Sequence, residues 1–199
     1  MTIGSHDVAI GFASLKIDGG YTFTLTTRFG GFLHEAEQRF GPRDMTYTPL
    51  GIEFHGSQPQ LWFPGNRRHV SVILTDAARS DPGEALFELA HETVHLLAPT
   101  GSSSAPIFEE GLATLFAHEK SHELGLNKAT SDPAYLHCEA LVRELLTIRP
   151  DAVLAARQLQ PSFAAMTPDV IKSVDNRVSD GLATALLEPF PDVVARLRG

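Results

Sequence analysis

Asp81-Pro82-Gly83-Glu84-Ala85-Leu86-Phe87-Glu88-Leu89-Ala90-His91-Glu92-Thr93-Val94-His95 carries the start of a helix at one end and a cluster of ionisable side chains at the other. Asp81 can accept from free N–H groups, Pro82 suits the first helical position, and Glu84 stands three residues after the cap. The three together nucleate a helix, because they satisfy orphan donors and complement the dipole. Leu86, Phe87, Leu89, Ala90, Val94 and Leu97 recur with helical period and give it one apolar face. Pro99 stops it, so the spacing predicts a helix from Asp81 to about Ala98.

On the N-terminal side of this helix, residues 1 to about 75 read mainly as strand and turn. Val8–Ile17 and Tyr21–Phe29 are rich in β-branched and aromatic residues, and Asp18-Gly19-Gly20 between them suits a hairpin turn. A short helix is expected at Phe32–Phe40, ended by Gly41-Pro42. Irregular sequence then leads to the β-branched run His69–Leu74, a strand. On the C-terminal side, the loop Thr100–Ala105 allows reversal into a second helix near Pro106 or Ile107. Further cap and proline signals predict helices at Pro133–Ile148, Asp151–Gln160, Pro168–Val174 and Ser179–Leu187. Strands first and helices afterwards make an α+β pattern, expected as one domain over 1–199 with residues 81–199 mainly helical.

Composition narrows the partners. The chain has 199 residues, 43% hydrophobic and 20% charged, with a formal net charge of −8. Such an acidic surface repels phosphate backbones and anionic lipids, and Arg67–Arg68 is too short for a basic patch. Neither nucleic acid nor membrane is expected as a partner. The single cysteine, Cys138, excludes an intramolecular disulfide and fits a reducing compartment. The first twenty residues lack a basic segment before a long apolar run, so they do not read as a signal peptide. A cytoplasmic location is the expectation.

His91-Glu92-Thr93-Val94-His95 lies inside the expected helix. Side chains four apart share a helical face, so both imidazoles can reach one ion. Zinc accepts such nitrogens and keeps an open position when only three protein ligands are present. Glu92, about 100° around the helix from His91, sits beside the ion, where it can take a proton from water. The plainer alternative is a surface helix with solvated histidines. A third donor must come from elsewhere. The metzincin continuation fails, since Ala98 and Gly101 stand at its glycine and histidine positions. Phe108-Glu109-Glu110-Gly111-Leu112-Ala113 instead offers a carboxylate on the second helix, and Gly111 suggests close approach of the two helices.

At these residues, from Leu86 to Phe116, the chain resembles the gluzincin peptidases, in particular the M1-like aminopeptidase superfamily. There, a glutamate followed by glycine, a large apolar residue and alanine stands on the second helix, as in Glu110-Gly111-Leu112-Ala113. The resemblance implies a zincin-like fold, one zinc ion held by His91, His95 and Glu110, and a peptide or protein as substrate. It prefers Glu110 to Glu109 as ligand, and Glu109 is expected as an exposed carboxylate, favourable in the first turn of a helix. The resemblance points to Tyr135 as the oxyanion donor, with His137, His118 and His122 as alternatives. Some gluzincins carry an aspartate four residues beyond the glutamate ligand. Thr114 stands there in this chain, which leaves the orientation of the zinc histidines without a partner.

Other residues have plainer readings. Glu88 is expected to be solvated, Arg143 to lie on a polar helix face, and Cys138 to be buried. Trp62 and Phe63 read as core or cleft wall, with core preferred. His69–Leu74 is either an edge strand over the cleft, able to pair with an extended peptide, or an internal strand paired on both sides. Zinc-dependent peptide hydrolysis with Glu92 as base is the leading functional expectation. A zinc-binding regulatory or interaction domain without useful turnover is the second, and a helical protein with an accidental motif the third.

Overall fold

The computed structural model of the chain describes residues 16–17, 20–21, 24–65, 67–101 and 104–198. Strands β1 (Lys16–Ile17) and β2 (Gly20–Tyr21) pair antiparallel with Ile17 opposite Gly20, as a hairpin requires. Most of the expected Val8–Ile17 strand, with Asp18 and Gly19 of the turn, lies outside the described residues.

The next segment departs from expectation. Helix α1 spans Leu25–Phe40, so Leu25–Phe29 is helical and not strand. Thr24 is its N-cap, and Thr24 and Thr27 form a reciprocal capping box through hydrogen bonds of 2.7 and 3.2 Å. The threonines that looked like strand residues work as caps. Leu25, Phe29, Phe32, Ala36 and Phe40 then form a buried stripe of helical period.

Strands β3 (Thr48–Phe54), β4 (Gln60–Trp62) and β5 (His69–Leu74) form a mixed sheet in the order β3-β5-β4. β5 pairs parallel with β3 and antiparallel with β4. His69–Leu74 is therefore the internal strand. β3 was hidden in the sequence by Pro49 and Gly51, which flank a break in its register with β5. An edge strand tolerates both, since its outer N–H groups need no ladder partner. Trp62 is 50% exposed, contrary to the core assignment.

Helix α2 (Pro82–His95) begins where the sequence placed it, with the Asp81 carboxylate accepting from Glu84 N–H at 3.0 Å. Glu88 is buried, not solvated. Its carboxylate accepts from the Thr75 N–H (2.8 Å) and hydroxyl (2.6 Å), which ties α2 to the end of β5. Helices α3 (Ile107–Glu123), α4 (Pro133–Ile148), α5 (Ala152–Leu159), α6 (Pro168–Ser173) and α7 (Asp180–Ala185) follow close to their expected bounds. A last helix, α8 (Phe190–Arg198), was not foreseen. The architecture is mixed α+β.

One apolar core runs from Leu25 in α1 to Val193 in α8, and α3 sits within it against both α2 and α4. The buried guanidinium of Arg157 donates to the carbonyls of Phe40, Gly41, Pro42 and Leu97, at 2.8 to 3.1 Å. It joins the end of α1 to the turn after α2, and burial lowers its pKa to about 10. Among the described residues no helix is long and apolar enough to cross a membrane.

Candidate metal centre

The chain reversal after α2 sets the last turn of α2 beside the first turn of α3. Cationic imidazoles are favoured at a helix C-terminus and carboxylates at an N-terminus, so both ends suit the groups they carry. His91 Nε2 and His95 Nε2 lie 3.2 Å apart. The donor atoms of His91, Glu92 and His95 all lie within 4.8 Å of one another. Glu110 approaches from α3, with Oε2 at 3.4 Å from His91 Nε2 and Oε1 at 3.8 Å from His95 Nε2. Its Oε2 is buried and, apart from the long 3.4 Å contact with His91 Nε2, has no hydrogen-bond donor. A desolvated carboxylate oxygen left without a donor is costly, and a cation in front of it removes the cost. Three carboxylates lie near the imidazoles: Glu109 is taken up by His95 Nδ1, and Glu110 and Glu92 both face the Nε2 side.

Glu109 overturns its sequence reading. It is 4% exposed, and its Oε1 lies 2.8 Å from His95 Nδ1. A carboxylate on one ring nitrogen fixes the tautomer and turns the other nitrogen toward an ion, which is the usual arrangement behind a metal-ligating histidine. The partner sought at position 114 is thus supplied at position 109. Thr114 is buried and donates to the Glu110 carbonyl at 2.8 Å. The adjacency of two glutamates at the start of α3 was the available signal for this role.

Electrostatics in the cluster follow from three carboxylates around two imidazoles. Burial pushes the Glu92 carboxyl up, and the histidines only partly offset it. For Glu110 burial acts in the same direction, but the imidazoles of His95 and His91 outweigh it and hold the group below the usual carboxylate value. Burial alone would lower His95, yet Glu110 and Glu109 raise it to about 10. A proton on His95 offsets part of the carboxylate charge around it.

Tyr135, two residues into α4, edges onto the His91 ring with centroids 5.7 Å apart and packs at a tilt against Phe190 at 4.7 Å. Burial, reinforced by Glu110 and Glu92, raises its hydroxyl above the ordinary value, so it stays a proton donor at neutral pH. Gly111 is what lets α4 come this close. A Cβ there would stand 2.3 Å from the Cys138 carbonyl oxygen. The close approach is between α3 and α4, not between α2 and α3, and Tyr135 lies one turn before Cys138. α3 has no side-chain cap. Its Ile107 and Phe108 N–H groups donate to the Glu188 and Leu186 carbonyls, and Phe190 N–H donates to Ala105, which carries Phe190 to the site.

His91, Glu92, His95, Glu109, Glu110 and Tyr135 line one cavity of about 400 Å³, walled by β4, Phe63 and Phe190. β4, not β5, is the sheet edge beside it. The other candidates lie elsewhere. His118 is held by Glu139 (2.8 Å) and by the Thr130 N–H (3.1 Å), and Arg143 pairs with Glu139 at 2.7 Å. His122 is exposed, and His137 does not line the cavity. Cys138 is buried, its thiol pushed up to about 12 by desolvation. Compared with family models, curated proteins and solved structures, the chain finds no match.

Two measurements probe the cluster. Glu109→Ala should weaken Zn²⁺ affinity by about 10- to 100-fold, as measured by chelator competition. An undiminished affinity would mean that Glu109 does not orient His95. In the parent protein the affinity should rise with pH. The raised His95 holds a proton across the neutral range, and a bound cation must displace it. Between pH 6 and 8 the same competition assay should show about a tenfold gain per pH unit.

Proposed function

We propose that the chain is a zincin-like, gluzincin-type metallohydrolase acting on peptide bonds. The observation that carries this reading is the Glu110 carboxylate facing the two imidazoles of α2, with Oε2 3.4 Å from His91 Nε2 and Oε1 3.8 Å from His95 Nε2. Two nitrogens and one carboxylate oxygen are a donor set that zinc accepts with a position left open. A zinc ion held by His91, His95 and Glu110 would polarise a substrate carbonyl and make water more acidic.

The chain's own groups supply the rest. Glu92, whose carboxyl burial pushes above its ordinary value, removes a proton from water as the oxygen attacks the carbonyl carbon. It then delivers that proton to the leaving amine. The Tyr135 hydroxyl donates to the oxygen that gains negative charge, a preorganised donor in the cavity. Glu109 keeps His95 in one tautomer throughout. The buried, unpaired Cys138 fits a protein of a reducing compartment such as the cytoplasm.

The test uses protein purified without a histidine tag and a panel of internally quenched peptides. Zinc-loaded protein should cleave members of the panel, chelator-stripped protein should cleave none, and added zinc should restore the rate. Full zinc occupancy without cleavage of any peptide would replace this reading with a metal-holding domain that lacks turnover.

A further inference from the structure

The loop joining β4 to β5 carries a second feature of the same cavity. Arg67 occupies the left-handed backbone region at φ 62°, which residues with a Cβ disfavour and which is retained where surrounding structure fixes it. Its side chain crosses to the loop after α2. A Cβ built on Gly101 would lie 3.2 Å from Arg67 Nη2 and 3.4 Å from the Phe63 ring. Gly101 and Phe63 both line the cavity, so the guanidinium lies at its rim, resting where Gly101 has no side chain. Among the described residues Arg67 has no ion-pair or hydrogen-bond partner, although every other arginine from Arg143 to Arg198 is held by a carboxylate or a carbonyl. The described lining holds three carboxylates, Glu92, Glu109 and Glu110, and no lysine or arginine. Among the described residues, a guanidinium beside an acidic cavity is thus left with its donors unused.

We infer that Arg67 is a specificity residue that recognises a carboxylate on the substrate, anchoring it at the rim while the scissile bond lies at the ion. A guanidinium fork matches a carboxylate in two parallel hydrogen bonds, and such charge-assisted pairs are stronger than neutral ones. The inference rests on the hydrolase reading of the cavity and names its substrate class, an acidic peptide. The carboxylate is either the C-terminus or an aspartate or glutamate side chain.

Binding to metal-free protein tests it, because a carboxylate cannot then go to an ion. Three N-acetylated peptides of one sequence serve as probes: a neutral amide, the free C-terminal acid, and the amide with one residue replaced by glutamate. Calorimetric titration should show one of the acids binding about tenfold more tightly than the neutral amide, and which acid it is identifies the source. In Arg67→Gln that ratio should fall to near one, and Arg67→Lys should keep part of it. Equal binding of all three peptides would overturn the inference. So would an unchanged ratio in Arg67→Gln, or no acid binding at millimolar concentration. If the ratio behaves as expected but zinc-loaded protein cleaves no peptide, the hydrolase reading fails while the anchor stands.

Discussion

Glu92→Gln should lower kcat by about 10²- to 10⁴-fold, the usual worth of a positioned general base, while zinc content stays at that of the parent. Glutamine keeps the size of the side chain and fills the same buried space beside His91, but it can neither take a proton from water nor carry one to the amine. Zinc retention follows because the ion's proposed donors are His91, His95 and Glu110. The variant separates two roles for the acid at position 92, since its carboxylate also lies within 4.8 Å of the imidazole donors. Loss of metal together with activity would make Glu92 a ligand. A rate equal to the parent's would remove it from the chemistry. Stability should rise slightly if it changes at all, because the substitution removes a carboxyl that burial disfavours in its charged form.

Gly111→Ala should destabilise the fold by about 1–3 kcal/mol, even though alanine is the better helix former by about 1 kcal/mol. The added Cβ would meet Cys138 O at 2.3 Å, Cys138 C at 2.6 Å and Val142 Cγ2 at 2.8 Å. Two of these atoms belong to backbone in the middle of α4, which cannot swing aside, so α3 and α4 must part. For a chain of this length that is a fall in Tm of roughly 3–10 °C by calorimetry. Separation of the helices also draws Tyr135 away from Glu110's side of the cavity, so kcat should fall beyond what the lost stability explains. A Tm equal to or above the parent's would mean that the contact between α3 and α4 is looser than described.

Legibility in the sequence followed the range of the interactions. Asp81 with Pro82, and Asp132 with Pro133, are local signals of helix starts, and α2 and α4 begin there. The pairing of His91 with His95 needs only the helical repeat. α1 was misread at its start because Thr24 and Thr27 are strand formers by composition, and their capping role depends on the stripe from Leu25 to Phe40. β3 depends on its partner β5, since Pro49 and Gly51 erase any alternation. In the site, Glu110 came from a resemblance, and its approach to the imidazoles required the whole loop from Leu96 to Pro106. Glu109 and Glu88 were misjudged for one reason. Burial of a carboxylate is decided by a distant donor, His95 Nδ1 in one case and Thr75 in the other, and no local pattern reports it. Arg67 was passed over as half of a short basic pair, because what distinguishes it is its placement beside Gly101 and Phe63 of the cavity lining, which no local pattern reports.

The central claim is that α2 and α3 bring two imidazoles and a carboxylate to one divalent ion. Anomalous scattering collected at the zinc edge, from crystals grown with zinc, tests it most directly. The account predicts one strong peak at about 2.0–2.2 Å from His91 Nε2, His95 Nε2 and a Glu110 oxygen, with Glu92 outside bonding distance. Absence of a peak there, with those three side chains turned to different places, would contradict it.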